Sequence, residues 1–283
     1  MQPCISAIVF FLAVHLASCN KERITQTDDK SSTYKLVWSD EFETDGPPNP
    51  ANWSFEQGFV RNQELQWYQP DNARCENGLL VIEAKRERVL NLNYNPGSLS
   101  SDEKRQYAEY TSSSLLTRGK HNWMFGRFEM RARIDTRPGL WPAFWTLGVN
   151  GDWPHCGEVD IMEYYQGTVL ANIAWGAEQK WQAIWDDFRK PISELGGTDW
   201  AKNFHVWRMD WDRERISLYL DDVLMNTANL SDTFNRDTEG KNPFWQPHSI
   251  IVNLAIGGTA GGDPSQTIFP AYYEIDYIRV YQK

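Results

Sequence analysis

Three carboxylates stand close together at Glu158, Asp160 and Glu163, within the stretch EVDIMEYY (158–165). The residues between them, Val159, Ile161 and Met162, are apolar. Carboxylates this dense repel one another and are costly to take out of water, so the crowding asks for a use. Three uses fit the residue types. The acids can form a solvated face, or they can ligate Ca²⁺ or Mg²⁺, which take oxygen donors. They can also supply a nucleophile and an acid/base. Two carboxyls about 5–5.5 Å apart cleave a glycosidic bond with retention, one attacking the anomeric carbon and the other delivering and then recovering a proton. A shorter carboxyl between them can share a proton with a neighbour, so that one Glu is held ionised and the other protonated.

That chemistry constrains the element that carries the acids. In a helix, at about 100° per residue, Asp160 and Glu163 fall roughly 200° and 140° around from Glu158, and no face is shared. A regular strand puts Glu158 and Asp160 on one face and Glu163 on the other. A strand with a single β-bulge at Ile161–Met162 returns all three to one face. The rest of the chain reads as strand too. β-rich runs occur at 79–86, 126–135, 169–176, 204–212, 215–222, 249–258 and 273–282, punctuated by Gly, Pro, Asn and Asp. This is the pattern of an antiparallel sandwich. In GRFEMRARI, Phe128, Met130, Ala132 and Ile134 face one way and Arg127, Glu129, Arg131 and Arg133 the other, which predicts one packed and one polar face. Helical spacing is rare. Trp181, Trp185 and Phe188 predict a short helix or an elaborated loop over 180–188.

The chain has 283 residues, 41% of them hydrophobic, enough for one large core without a second domain. A net charge of −10 and the absence of a Lys/Arg-rich run argue against a nucleic-acid or other polyanion partner. Fourteen Trp exceed ordinary packing needs and point to carbohydrate, whose C–H faces stack on indole. The start of the chain predicts export. An apolar run ends in LASC, the pattern of a bacterial lipoprotein signal, which nominates Cys19 as a lipid anchor and predicts a membrane-anchored protein at the cell envelope or surface. Residues 1–18 carry no Lys or Arg, unlike the usual signal, and an ordinary cleaved signal peptide is the alternative. Residues 20–33 are polar and read as a flexible tether, and 34–283 as one all-β domain, expected to act as a monomer. Cys75 and Cys156 either pair, as export allows, or stay as buried thiols.

Several stretches together resemble glycoside hydrolase family 16, in particular its laminarinase-like endo-β-1,3(4)-glucanases. GEVDIMEYY matches the E-x-D-x-x-E signature of that family. VWSDEF (37–42), NQELQWY (62–68), DNARCENGLLVIEAKRE (71–87), GLWPAFWTLG (139–148), WPHCGEVD (153–160), NLAIGG (253–258) and EIDYIRVYQ (274–282) follow in the family's order. The resemblance covers essentially all of 34–283. It implies a β-jelly-roll sandwich of two curved antiparallel sheets with a concave substrate cleft. By the same resemblance Glu158 is the nucleophile, Asp160 the assisting carboxylate and Glu163 the acid/base. Trp141 and Trp145 are substrate-binding tryptophans, and Asn62 is a polar residue at the cleft edge. The chemistry needs no cofactor. A structural Ca²⁺ would fall at Glu41, Gly78 and Asp276. The implied substrate is a β-1,3-glucan or a mixed-linkage β-1,3/1,4-glucan. An algal galactan, a transglycosylase, or a non-catalytic glycan-binding surface lipoprotein are the alternatives. Two departures stand out. Ala174 replaces a histidine that many family glucanases carry near the site. The stretch 175–203, with Trp175, Trp181, Trp185 and Trp200, is unusually long and aromatic, and is either a cleft wall or a packed satellite cluster.

Overall fold

The computed structural model describes residues 34–283, which form one unit. The predicted signal segment, the Cys19 anchor and the 20–33 tether lie outside the described residues.

Two eight-stranded antiparallel sheets face each other, as in a β-jelly roll. The first, here the outer sheet, runs Val223–Asn229, Arg215–Leu220, His205–Trp211, Gly126–Arg133, Ala271–Gln282, Leu79–Ala84, Ala73–Glu76, with Lys35–Asp40 also on Ala271–Gln282. The second, the cleft sheet, runs Ala183–Asp186, Thr168–Gly176, Glu158–Tyr165, Leu140–Gly148, His248–Ile256, Ser114–Leu116, Ser54–Phe55. Arg189–Pro191 also pairs with Thr168–Gly176.

The core lies between the sheets and follows from strand alternation. Phe128, Met130, Ala132 and Ile134 all point into it, as the sequence pattern predicts, and meet Phe144, Met162, Val252 and Leu254 of the cleft sheet. Their alternate neighbours Arg127, Arg131 and Arg133 pair outside with Asp210, Asp276 and Glu274. His248–Ile256 is buried along its whole length, which explains its unbroken apolar run. The core covers one face, and the 62–68 segment covers the other, joined by Leu65 N–H to Ile256 O at 2.8 Å and Ile256 N–H to Gln66 Oε1 at 2.7 Å.

Two expectations are decided here. Residues 180–188 are not helical. Ala183–Asp186 is an extended strand paired with Thr168–Gly176, and backbone pairing overrides the helical spacing of its aromatics. Cys75 and Cys156 are both buried and unpaired, with burial pushing each thiol up to about 11. At the positions named for calcium, the two acidic side chains are engaged by arginines. Arg279 holds both carboxylate oxygens of Glu41, at 2.9 and 2.8 Å, and Arg131 holds Asp276 at 2.6 Å. Gly78 serves the two-residue turn Asn77–Gly78 between Ala73–Glu76 and Leu79–Ala84, where both residues take positive φ. Among the described residues no three His, Cys, Asp or Glu side chains gather for a metal.

Candidate active site

The strand Glu158–Tyr165 lies near the middle of the cleft sheet, between Leu140–Gly148 and Thr168–Gly176. Gly157 leads into it at φ +78°, where an added Cβ would come within 2.9 Å of Pro243. On one side Asp160 pairs with Trp145 and Met162 with Phe144, which leaves Ile161 without a partner. On the other side the register slips between Asp160 and Glu163. This is the bulge that the spacing of the acids demands. Ile161 and Met162 both turn into the core, where their apolar side chains hold the extra residue in place.

The bulge sets up rows of side chains across the open face. Leu147, Glu158, Ala174 and Trp185 form one row. Trp145, Asp160 and Asn172 form the next. Ala143, Glu163, Leu170 and Arg189 form a third. Above them is a cavity of about 740 Å³ lined by Glu158, Asp160, Glu163, Trp141, Trp145 and Asn62, among others. All six cleft residues expected from the sequence are therefore brought together. Phe144 and Trp145 divide between core and cleft, as alternation requires.

Hydrogen bonds distinguish the three acids. Trp153 Nε1–H donates to Glu158 Oε2 at 2.5 Å, and Trp141 Nε1–H donates to Glu163 Oε1 at 2.6 Å. Burial raises the pKa of all three carboxyls. Asp160 rises furthest, because the charges of Glu158 and Glu163 add to burial, and it donates a hydrogen bond to Glu158. The bonds from Asp160 and Trp153 pull Glu158 back down. Burial pushes Glu163 up to about 7, against the Trp141 N–H and with added repulsion from Glu158. The group thus keeps a proton on Asp160, offsets at Glu158 part of the rise that burial causes, and leaves Glu163 able to give or take a proton near neutrality.

A polar network beside the acids joins Asn62 and Trp145 to Glu64, Gln66, Tyr68, Asn253 and Arg61, which the sequence motifs do not single out. Glu64 is 3% exposed and accepts from Gln66 Nε2 at 2.6 Å and Asn62 Nδ2 at 3.3 Å. Trp145 Nε1–H donates to Asn253 Oδ1 at 2.8 Å, and Asn253 Nδ2 donates to Tyr68 Oη at 3.1 Å. Arg61 lies over the Trp145 ring, 5.2 Å from its centroid, and also pairs with Glu56. The segments NQELQWY and NLAIGG carry most of this network, and their polar residues among apolar ones were the available signal. Trp153 and Tyr165 sat next to the acids without any spacing cue. The long aromatic segment divides. Trp175 packs in the core and Trp200 stacks on His205 at 4.0 Å, whereas Trp181 and Trp185 line the cavity.

The description "Glycosyl hydrolases family 16" matches residues 62–279. The chain belongs to glycosyl hydrolase family 16. A β-glucanase from Rhodothermus marinus is 36% identical over 279 residues, covering 90% of this chain and 87% of that protein. The laminarinase catalytic domain from Thermotoga petrophila superposes with a TM-score of 0.73 at 34% identity, over 88% of this chain and 98% of that one. A structure described with endo-acting O-glycanases, which members of the human gut microbiota express to initiate mucin breakdown, superposes with a TM-score of 0.80. Its identity is also 34%, over 88% of this chain and 91% of that one. The chain is a glycoside hydrolase.

Proposed function

We propose that this family 16 hydrolase cleaves internal linkages of a β-1,3-glucan or mixed-linkage β-1,3/1,4-glucan, with retention of configuration. Glu163 protonates the glycosidic oxygen as it leaves. Glu158 attacks the anomeric carbon and forms a glycosyl-enzyme. A water then gives its proton to Glu163 and its oxygen to the anomeric carbon, and Glu158 is released as the carboxylate. Asp160 is a positioning residue. Its proton sits against Glu158, holds that carboxylate in line, and is withdrawn as the charge on Glu158 passes into the new bond. Trp141 and Trp153 orient the two glutamates. The observation that carries this reading is the bulge at Ile161–Met162, which turns Glu158, Asp160 and Glu163 to one cavity. The acids lining the cavity outnumber Arg61 and Arg189, which favours a neutral polymer. Export with a lipid anchor at Cys19 belongs to the same proposal, since such polymers lie outside the cell.

A second reading has a specific support. The superposition on the O-glycanase-associated structure scores above that on the laminarinase, so endo-cleavage of an O-glycan chain uses the same carboxylates on another polymer. Both are tested by incubating the protein separately with laminarin, mixed-linkage β-glucan and mucin O-glycans, and separating the products by chromatography. Short oligosaccharides from either glucan are the expected result. Products from mucin O-glycans alone would replace the glucan with the O-glycan, and no products from any would contradict both.

A further inference from the structure

The tryptophans nearest the acids offer little surface to a sugar. Trp141 and Trp145 are each only 8% exposed. The Arg61 guanidinium covers Trp145, and Trp141 meets the Tyr165 ring at 5.5 Å while its N–H serves Glu163. Their N–H groups hold Glu163 and Asn253. The open indole faces of the cavity are elsewhere. Trp181 is 57% exposed, with Lys180 Nζ over one face of its ring at 4.7 Å, and Trp185 is 44% exposed. Both line the same cavity as the acids, on the flank where Ala183–Asp186 and Arg189–Pro191 pair with Thr168–Gly176.

The register relates this flank to the chemistry. Glu158 pairs with Ala174, and Ala174 with Trp185. Two strand spacings, roughly 10 Å, separate the backbone of Trp185 from that of Glu158. Ala174, which is fully buried, fills the register position between them, and Glu158 and Trp185 line the same cavity on either side of it. Trp181 is held at φ +68°, a backbone conformation that bulky residues rarely adopt. It contributes nothing to the core. Exposing two large indoles to water beside a polar cavity is costly unless a ligand covers them.

We propose that Trp181 and Trp185 form the main stacking platform of the enzyme, which takes a neutral pyranose unit of the polymer beyond the two units that flank the bond being cut. This rests on the reading of the cleft as a glycan site, and it names where the chain lies in it. The polymer runs across the strands, from the Asn62 edge, over Glu158 and Glu163, to this aromatic wall. Asp187 and Arg189 stand on the same wall and offer an acceptor and a donor to sugar hydroxyls.

The test measures kcat/KM for Trp181→Ala, Trp185→Ala, the double variant and Trp185→Phe. Substrates are laminarin and laminari-oligosaccharides of increasing length. Each alanine should lower kcat/KM on polymer and long oligosaccharides about tenfold, through KM, and leave the shortest cleaved substrate unchanged. Trp185→Phe should restore most of the loss. Equal losses at every length, or no loss at any, would overturn the platform. If the wild type cuts only mucin O-glycans, the glucan reading fails by itself, and the same comparison on O-glycan fragments decides the platform. If it cuts nothing, affinity electrophoresis through gels holding each polymer decides. Retardation lost in the double variant supports the platform, and identical migration of both proteins in every gel overturns it.

Discussion

At the residue scale, the site works by giving three similar groups three different surroundings. Burial raises the pKa of Glu158, Asp160 and Glu163 alike, which works against a nucleophile. Hydrogen bonds divide them. Glu158 takes one from Asp160 and one from Trp153, and Glu163 takes only the Trp141 N–H. A pH dependence follows. Loss of the Glu163 proton near pH 7 should set the alkaline limb of kcat/KM. A hydrogen bond to a charged group contributes about 1.5–3 kcal/mol, and one pKa unit is about 1.4 kcal/mol. Trp141→Phe removes a donor that favours the ionised form, so the alkaline limb should move upward by about one pH unit. A pH–rate profile of the variant checks this, and a limb that stays in place or moves down would remove Trp141 from the control of Glu163. The identities of the three acids were legible in the sequence because their spacing is senseless for a helix or a regular strand. Their separate states were not, because these depend on Trp141 and Trp153, which reach them across a strand pairing and a turn.

At the element scale, the bulge is what makes the strand catalytic. Without it Glu163 would face the core with Val159 and Ile161, and Met162 would face the cleft. The sequence stated this need, since an odd spacing of polar residues among core residues has few other solutions. Strand positions were legible for the same reason. Alternation in 126–133 and the apolar run in 248–256 each reflect a definite pair of surroundings, one wet and one dry face in the first and two dry faces in the second. The segment 180–188 misled, because a helix and a twisted edge strand can both place aromatics three or four residues apart. Pairing with Thr168–Gly176 decided it, and that pairing joins residues whose partnership no local pattern announces. The arginine partners of Glu41 and Asp276 were hidden likewise. Arg279 lies 238 residues from Glu41 and Arg131 lies 145 from Asp276.

At the scale of the whole molecule, the cleft is a place where stability is given up for function. The Glu163 carboxyl, ordinarily near 4.5, stands at about 7 in the folded protein. Below pH 4.5 it is protonated folded or unfolded and costs nothing. As pH rises from there to 7, the unfolded chain ionises first, and the folded state loses up to about 3 kcal/mol. Glu163→Gln cannot ionise, so the variant should match the wild type in thermal stability near pH 4 and exceed it above pH 7. Unfolding curves at pH 4 and pH 8 measure this, and a variant no more stable at pH 8 would contradict the buried, proton-holding role of Glu163. The architecture as a whole was legible, because the motifs of family 16 are spread over nearly every strand. The stacking wall was not, since Trp181 and Trp185 share their residue type with the packed Trp175 and Trp200. The central claim is that Glu158 and Glu163, turned to one face by the bulge, cleave by double displacement. Proton NMR of the anomeric signals during the first minutes of hydrolysis tests it most directly. The β-anomer of the new reducing end should appear first and then mutarotate, whereas first appearance of the α-anomer would contradict the mechanism.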